Sequence, residues 1–172
     1  MHRALVAEDD LMCRRILVRL IATHVDCAAV ATGPEALATL QAAFAANRPY
    51  HLICLDIEMP GLTGHEVLAE LRRLEAAHRI EVPARVLITT AHSHTDHVMA
   101  AVSAGCDGFL VKPLDPSRVM AHLVSWGMVS ALERRAPSVE HLKQEACAAV
   151  STAEIVRKAA DRRPVVGGAG GA

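Results

Sequence analysis

Aromatic side chains are nearly missing from this sequence: one Trp, one Tyr and two Phe stand in 172 residues. Apolar residues still make up 52% of the chain, enough to bury a core, but that core has to be aliphatic and built mostly from Ala, Val and Leu. No apolar run reaches the roughly 18 residues that a membrane-spanning helix needs, so no membrane span is expected. A long basic run is missing too, and the formal net charge is −1. That leaves out the electrostatic footprint of a nucleic-acid binder. Met1-His2-Arg3 leads straight into a strand-like run, without a signal-peptide pattern. CxxC spacing is absent. The five cysteines, Cys13, Cys27, Cys54, Cys106 and Cys147, are odd in number and read as reduced, mostly buried small apolar residues of a cytoplasmic protein.

What is present is an alternation of short apolar runs with helical periods. Ala4-Leu5-Val6-Ala7 stops at acids, and Leu11 to Thr23 then carries Ile16, Leu17, Leu20 and Ile21 on one face. Cys27 to Ala31 is a second short run. Pro34 suits the first turn of a helix whose apolar face is Ala36, Leu37, Leu40 and Phe44. His51 to Leu55 is the most apolar strand and ends at Asp56. Pro60 and Gly61 make a loop, and Gly64 to Ala77 is helical, with Val67, Leu68 and Leu71 spaced for burial. Arg85 to Thr89 is a fourth strand. A helix from about Thr95 to Ala104 would end at Gly105, and Gly108 to Val111 is a fifth strand. Asp115-Pro116 reads as a cap followed by a first-turn proline. Five apolar strands alternating with helices imply an α/β fold, a parallel sheet covered on both faces. Such sheets bind ligands beyond the carboxyl ends of their strands.

The groups at those ends carry the chemistry. The first strand ends at Glu8-Asp9-Asp10, the third at Asp56, the fourth at Thr89-Thr90-Ala91 and the fifth at Lys112-Pro113. Two like charges about 4 Å apart repel by roughly 4 kcal/mol at an effective dielectric near 20. A hard divalent cation such as Mg²⁺ (or Mn²⁺), which takes oxygen ligands and can share a phosphate oxygen, relieves that cost. Lys112 offers a flexible point charge to an anion, and a hydroxyl from Thr90 can donate to a phosphoryl oxygen. Acids, metal, ammonium and hydroxyl together suit in-line phosphoryl transfer, with Asp56 as the nucleophile.

The order Glu8-Asp9, Asp56 with Met59-Pro60 and Gly64, Thr90-Ala91 and Lys112-Pro113 resembles the receiver domain of two-component response regulators, of the single-domain chemotaxis type. The resemblance covers about residues 1–126. It implies a flavodoxin-like, doubly wound, five-stranded parallel sheet of order 2-1-3-4-5. It implies phosphorylation of Asp56 by a sensor histidine kinase or a phosphotransfer protein, with output through contacts to an unknown downstream protein and no direct DNA binding. By resemblance Glu8, Asp9, Asp56 and the backbone carbonyl of Glu58 hold the metal, and Thr90 and Lys112 meet the phosphoryl group. The Lys112-Pro113 bond is then cis. Phe109 is the aromatic switch that follows Thr90 and biases the surface formed by the strand at Gly108 and the helices beside it. Glu58 and His92, two residues past Asp56 and Thr90, would flank the attacking water and tune hydrolysis.

Two positions depart from the family pattern, which often has Asp where this chain has His51 and Thr63. Thr89 and Thr90 are two candidate hydroxyls. Alternation lets one of them face the site, and the following Ala91 favours Thr90. Asp10 reads as a helix cap only. His92, His94 and His97 could hold zinc but lack an evident fourth ligand, so a solvated loop is the plainer reading. His24, His65, His78 and His122 read as surface residues, Arg14-Arg15 as an exposed pair, and Met120, Trp126 and Met128 as core. The competing function is a Mg²⁺-dependent phosphatase or phosphotransferase with an aspartyl nucleophile, for which Glu58 stands at the offset of an acid/base residue. No cap domain is evident for such an enzyme.

Residues 127–163 form a C-terminal helical extension, and 164–172 a Gly/Ala-rich tail expected to be disordered. The apolar series Met120, Leu123, Val124, Gly127, Met128, Ala131 and Leu132 predicts a helix running straight through Gly127 to about Arg135. A further helix to about Arg162 carries Val139, Leu142, Ala146, Ala149, Ala153, Val156 and Ala160 at heptad spacing. Such a stripe either lies on its own domain or supports a homodimer.

Overall fold

The computed structural model describes residues 2–91 and 105–129. Its elements run β1 (Arg3–Ala7), α1 (Leu11–Ile21), β2 (Asp26–Val30), α2 (Gly33–Ala45), β3 (Leu52–Asp56), α3 (Gly64–Ala77), β4 (Arg85–Thr90), β5 (Gly108–Val111) and α4 (Pro116–Ser125). The strands form one parallel sheet of order β2-β1-β3-β4-β5, the order the resemblance implies. The expected helix at Thr95–Ala104 lies outside the described residues, as do His92, His94, His97, Cys147 and everything from residue 130 onward.

Local chemistry explains where each helix starts. Asp10 caps α1, its side chain accepting from the Cys13 N–H at 2.7 Å, and is the cap the sequence suggests. Thr32 caps α2 ahead of Pro34, and Thr63 and Glu66 form a capping box at α3. Thr63, where the family often has Asp, is therefore a helix cap. Asp115 caps α4.

Alternation along the strands divides the core into two layers. Leu5, Ala7, Ile53, Leu55, Val86 and Ile88 pack beneath α2 and α3. Ala4, Val6, Leu52, Cys54, Leu87 and Leu110 pack beneath α1 and α4. Ile16, Leu17, Leu20 and Ile21 are all buried, as the helical period requires. Glu75 is a buried acid on α3; it accepts from the Ala84 N–H at 2.6 Å and pairs with Arg72 at 2.7 Å. Arg72 also donates to the Gly105 carbonyl at 2.7 Å, so one guanidinium ties α3 to the chain entering β5.

One expectation fails at the end of α4. The helix stops at Ser125 instead of passing through Gly127, which has φ of +70°. The Gly127 N–H donates to the Val124 carbonyl at 3.0 Å and the Met128 N–H to the Leu123 carbonyl at 2.9 Å. These are the two bonds of a Schellman motif, which satisfies the last carbonyls and turns the chain. Leu123 is buried and Met128 packs against the same core layer. The apolar period therefore continues through Gly127 without a helix to carry it.

Candidate functional site

The same alternation places the site. Glu8, Asp56, Thr89 and Lys112 continue the parity of Val6, Cys54, Leu87 and Leu110, the layer under α1 and α4. Successive strands therefore deliver these four side chains to one rim. Glu8 is fully buried and Asp56 is 3% exposed, while Asp9 is exposed. Carboxylate oxygens of Glu8, Asp9 and Asp56 lie within 4.8 Å of one another. Oxygens bound to one Mg²⁺ at about 2.1 Å stand about 3.0 Å apart when adjacent and about 4.2 Å apart when opposite, so a bound cation would draw this set together by up to about 1.8 Å. Hard anionic oxygens in this arrangement fit Mg²⁺ or Mn²⁺.

Lys112 Nζ sits 2.6 Å from Glu8 Oε1 and 2.6 Å from Asp56 Oδ2. Burial raises the Glu8 carboxyl to about 7 against the opposing pull of Lys112, and the charge of Asp56 adds to the rise. Burial works to lower the Lys112 pKa, but the hydrogen bonds and charges of Asp56 and Glu8 outweigh it and push it up. The Lys112-Pro113 bond is cis, and the Lys112 N–H donates to the Thr90 carbonyl at 2.7 Å. The loop after β3 begins with the Glu58 N–H, which donates to Asp56 Oδ1 at 3.3 Å. Gly64 brings α3 against this loop: a Cβ there would lie 2.3 Å from the Asp56 carbonyl oxygen.

Thr89 touches one of the acids. Its Oγ1 donates to Glu8 Oε2 at 3.4 Å, fully buried. The sequence reading gave the site hydroxyl to Thr90 and missed this contact, although the parity shared with Leu87 carries the signal. Thr90 is buried at the last position of β4, its Cα paired with Val111. Phe109 is half-buried and packs against the layer under α2 and α3. Arg14 was also missed. It is not an exposed pair-mate of Arg15: its guanidinium donates to the carbonyls of Glu8 at 2.6 Å and Asp9 at 3.1 Å. It stands one turn after the Asp10 cap, where a helical side chain leans back over the helix start, and that spacing is legible in retrospect.

The described cysteines Cys13, Cys27, Cys54 and Cys106 are free, and burial pushes all four thiols up. That suits unreactive packing residues. Among the described residues no helix is long and apolar enough to cross a membrane.

Comparison with known proteins gives the rim a context. Residues 4–124 match the model of the response regulator receiver domain. The chain is 28% identical over 151 residues to the response regulator mcs4 of Schizosaccharomyces pombe, covering 74% of this chain and 28% of that protein. It is 33% identical over 138 residues to the transcriptional regulatory protein TcrA of Mycobacterium tuberculosis, covering 78% of this chain and 47% of that one. The chain thus spans less than half the length of these curated relatives. Among solved structures, the chemotaxis protein CheY4 of Vibrio cholerae superposes with a TM-score of 0.61 at 24% identity, over 73% of this chain and 98% of that one. The receiver domain of the histidine kinase CKI1 from Arabidopsis thaliana, solved with Mg²⁺ and BeF₃⁻, gives 0.62 at 23% identity, over 72% and 90%.

Proposed function

The chain belongs to the response-regulator receiver family, and from that premise we propose that Asp56 accepts a phosphoryl group from a phosphohistidine on a sensor kinase or phosphotransfer protein. What supports this reading is the pairing of a cation-ready acid cluster with an ammonium 2.6 Å from the acceptor carboxylate. One Asp56 oxygen attacks phosphorus and forms the new P–O bond while the P–N bond to the donor imidazole breaks. The leaving imidazole keeps that electron pair and takes up a proton from solvent. Glu8, Asp9, Asp56 and the Glu58 carbonyl would hold Mg²⁺, which supplies charge neutralisation to the phosphoryl oxygens when bound.

Lys112 exchanges part of its pairing with Asp56 for a phosphoryl oxygen. The Thr90 hydroxyl donates to another and moves with it, and Phe109 turns inward behind it. Thr89 stays under Glu8 and holds that carboxylate in place. By their places two residues past Asp56 and Thr90, Glu58 and His92 would tune hydrolysis of the acyl phosphate, His92 lying outside the described residues, and replacing each with Ala should change its lifetime. The family premise favours a signalling module over the aspartyl phosphatase alternative. Cytoplasmic signalling through protein contact, without direct DNA binding, belongs to the same reading. The homodimer suggested by Val139–Ala160 concerns residues outside those described.

Acetyl phosphate with Mg²⁺ tests the proposal. Intact mass should rise by one phosphoryl group per chain that hydroxylamine removes, and the rise should vanish in Asp56→Asn. Continuous turnover of a general phosphate ester without a stable adduct would overturn it.

A further inference from the structure

A cleft lies at the other end of the sheet. Arg3 opens β1, and Tyr50 and His51 lead into β3, so these residues lie at the opposite edge from Asp56. Five strand residues separate the two edges, about 17 Å. A cavity of about 450 Å³ opens there between α2 and the sheet. A smaller one of about 330 Å³ adjoins it and shares Arg3 and Arg48.

The lining has two parts. Ala38 and Ala42 on α2 and Ala46 at its C-cap, at four-residue intervals, give an exposed apolar wall. Facing it, the Arg3 guanidinium lies over the Tyr50 ring at 4.4 Å from its centroid, and one of its nitrogens donates to the Arg48 carbonyl. Arg3 is thereby held in one orientation. Its charge is only partly answered: Asp26 Oδ2 stands 3.5 Å from Nε, and that buried Nε makes no hydrogen bond. Arg48 is exposed, and no carboxylate among the described residues pairs with it. His2 and His51 stand beside the cleft with their rings 5.1 Å apart.

A preset guanidinium paired on one side with Asp26, a second, exposed guanidinium and an apolar wall in one cleft are the ingredients of an anion site with a hydrophobic seat. We propose that this cleft binds a small organic anion, with its carboxylate or phosphonate-type head between Arg3 and Arg48 and its apolar body on Ala38, Ala42 and Ala46. The site is separate from the phosphoacceptor rim and does not depend on phosphorylation.

The test uses the full chain carrying Asp56→Asn, without Mg²⁺, so that the rim takes no part. Benzoate and phenylphosphonate are titrated while backbone amide shifts are followed by NMR, with benzyl alcohol as the neutral control. Amides of Arg3, Ala42, Ala46 and Arg48 should move and saturate with a dissociation constant of about 1 mM, the range expected of a fragment this small. Arg48→Gln should weaken either anion about tenfold, the worth of one charge-assisted hydrogen bond. Ala42→Leu fills the seat without changing charge and should remove saturation. Saturation by one anion alone assigns the head group as carboxylate or phosphonate. Equal shifts from benzyl alcohol, unchanged affinity in Arg48→Gln, or no saturable shift by about 20 mM would overturn the site.

Discussion

Lys112 holds Asp56 in an ion pair 2.6 Å long while also holding Glu8 at the same distance. One cation thus keeps two buried acids apart in charge terms. Lys112→Ala should therefore destabilise the metal-free protein by about 3–5 kcal/mol, the cost of leaving buried charge unpaired. Added Mg²⁺ should recover part of that loss, raising the melting temperature of Lys112→Ala more than that of the natural chain. Equal Mg²⁺ shifts in both would mean the cation and Lys112 do not share these acids.

The two adjacent threonines should separate cleanly. Thr89→Val removes a buried donor to Glu8 and should cost about 0.5–1.5 kcal/mol of stability, with phosphorylation by acetyl phosphate largely retained. Thr90→Ala should leave stability nearer the natural value and instead slow phosphorylation, or uncouple it from the Phe109 environment read by NMR. The reverse pattern would move the phosphoryl contact from Thr90 to Thr89.

Much of this was legible in the residues. Apolar runs that give way to Glu8-Asp9, Asp56, Thr89-Thr90 and Lys112 announce a shared rim, because parallel strands end on the same side of a sheet. Thr89 was harder: both threonines are small and polar, and only the core layer of Leu87 tells which one faces Glu8. Arg14 was obscured because a charged pair on a first helix reads as solvated, and its carbonyl partners leave no mark in sequence. At Gly127 the apolar period outweighed the single glycine, although a positive φ decides a helix end locally while periodicity reports only burial.

Two glycines should respond to Ala in opposite degrees. At Gly64 a Cβ would meet the Asp56 carbonyl oxygen at 2.3 Å, so Gly64→Ala has to displace β3 or α3. It should weaken Mg²⁺ binding and lower stability by more than about 2 kcal/mol, within the cost of overpacking a core. At Gly127 nothing lies within 4 Å of a Cβ, and only the left-handed backbone objects. Gly127→Ala should cost about 1–2 kcal/mol and leave Mg²⁺ binding unchanged. Urea denaturation with and without Mg²⁺ measures both.

His51 should give the protein an acid-sensitive limb remote from the rim. Its Nδ1 accepts a hydrogen bond from the Arg3 N–H at 3.1 Å, which requires the neutral ring. Burial lowers its pKa, and His2, the chain's amino terminus and Arg3 lower it further. A histidine with a folded pKa below its unfolded value of about 6.5 contributes full stability above that value. The contribution falls as pH drops through about 6.5, because the unfolded chain takes up a proton first, and it is exhausted below the folded pKa. His51→Asp, which restores the residue the family often has, keeps an acceptor for Arg3 and stays charged across this range. Melting temperatures between about pH 7.5 and 5 should therefore fall less steeply for His51→Asp than for the natural chain. Parallel curves would show that His51 titrates alike in both states and that its bond to Arg3 carries no pH dependence.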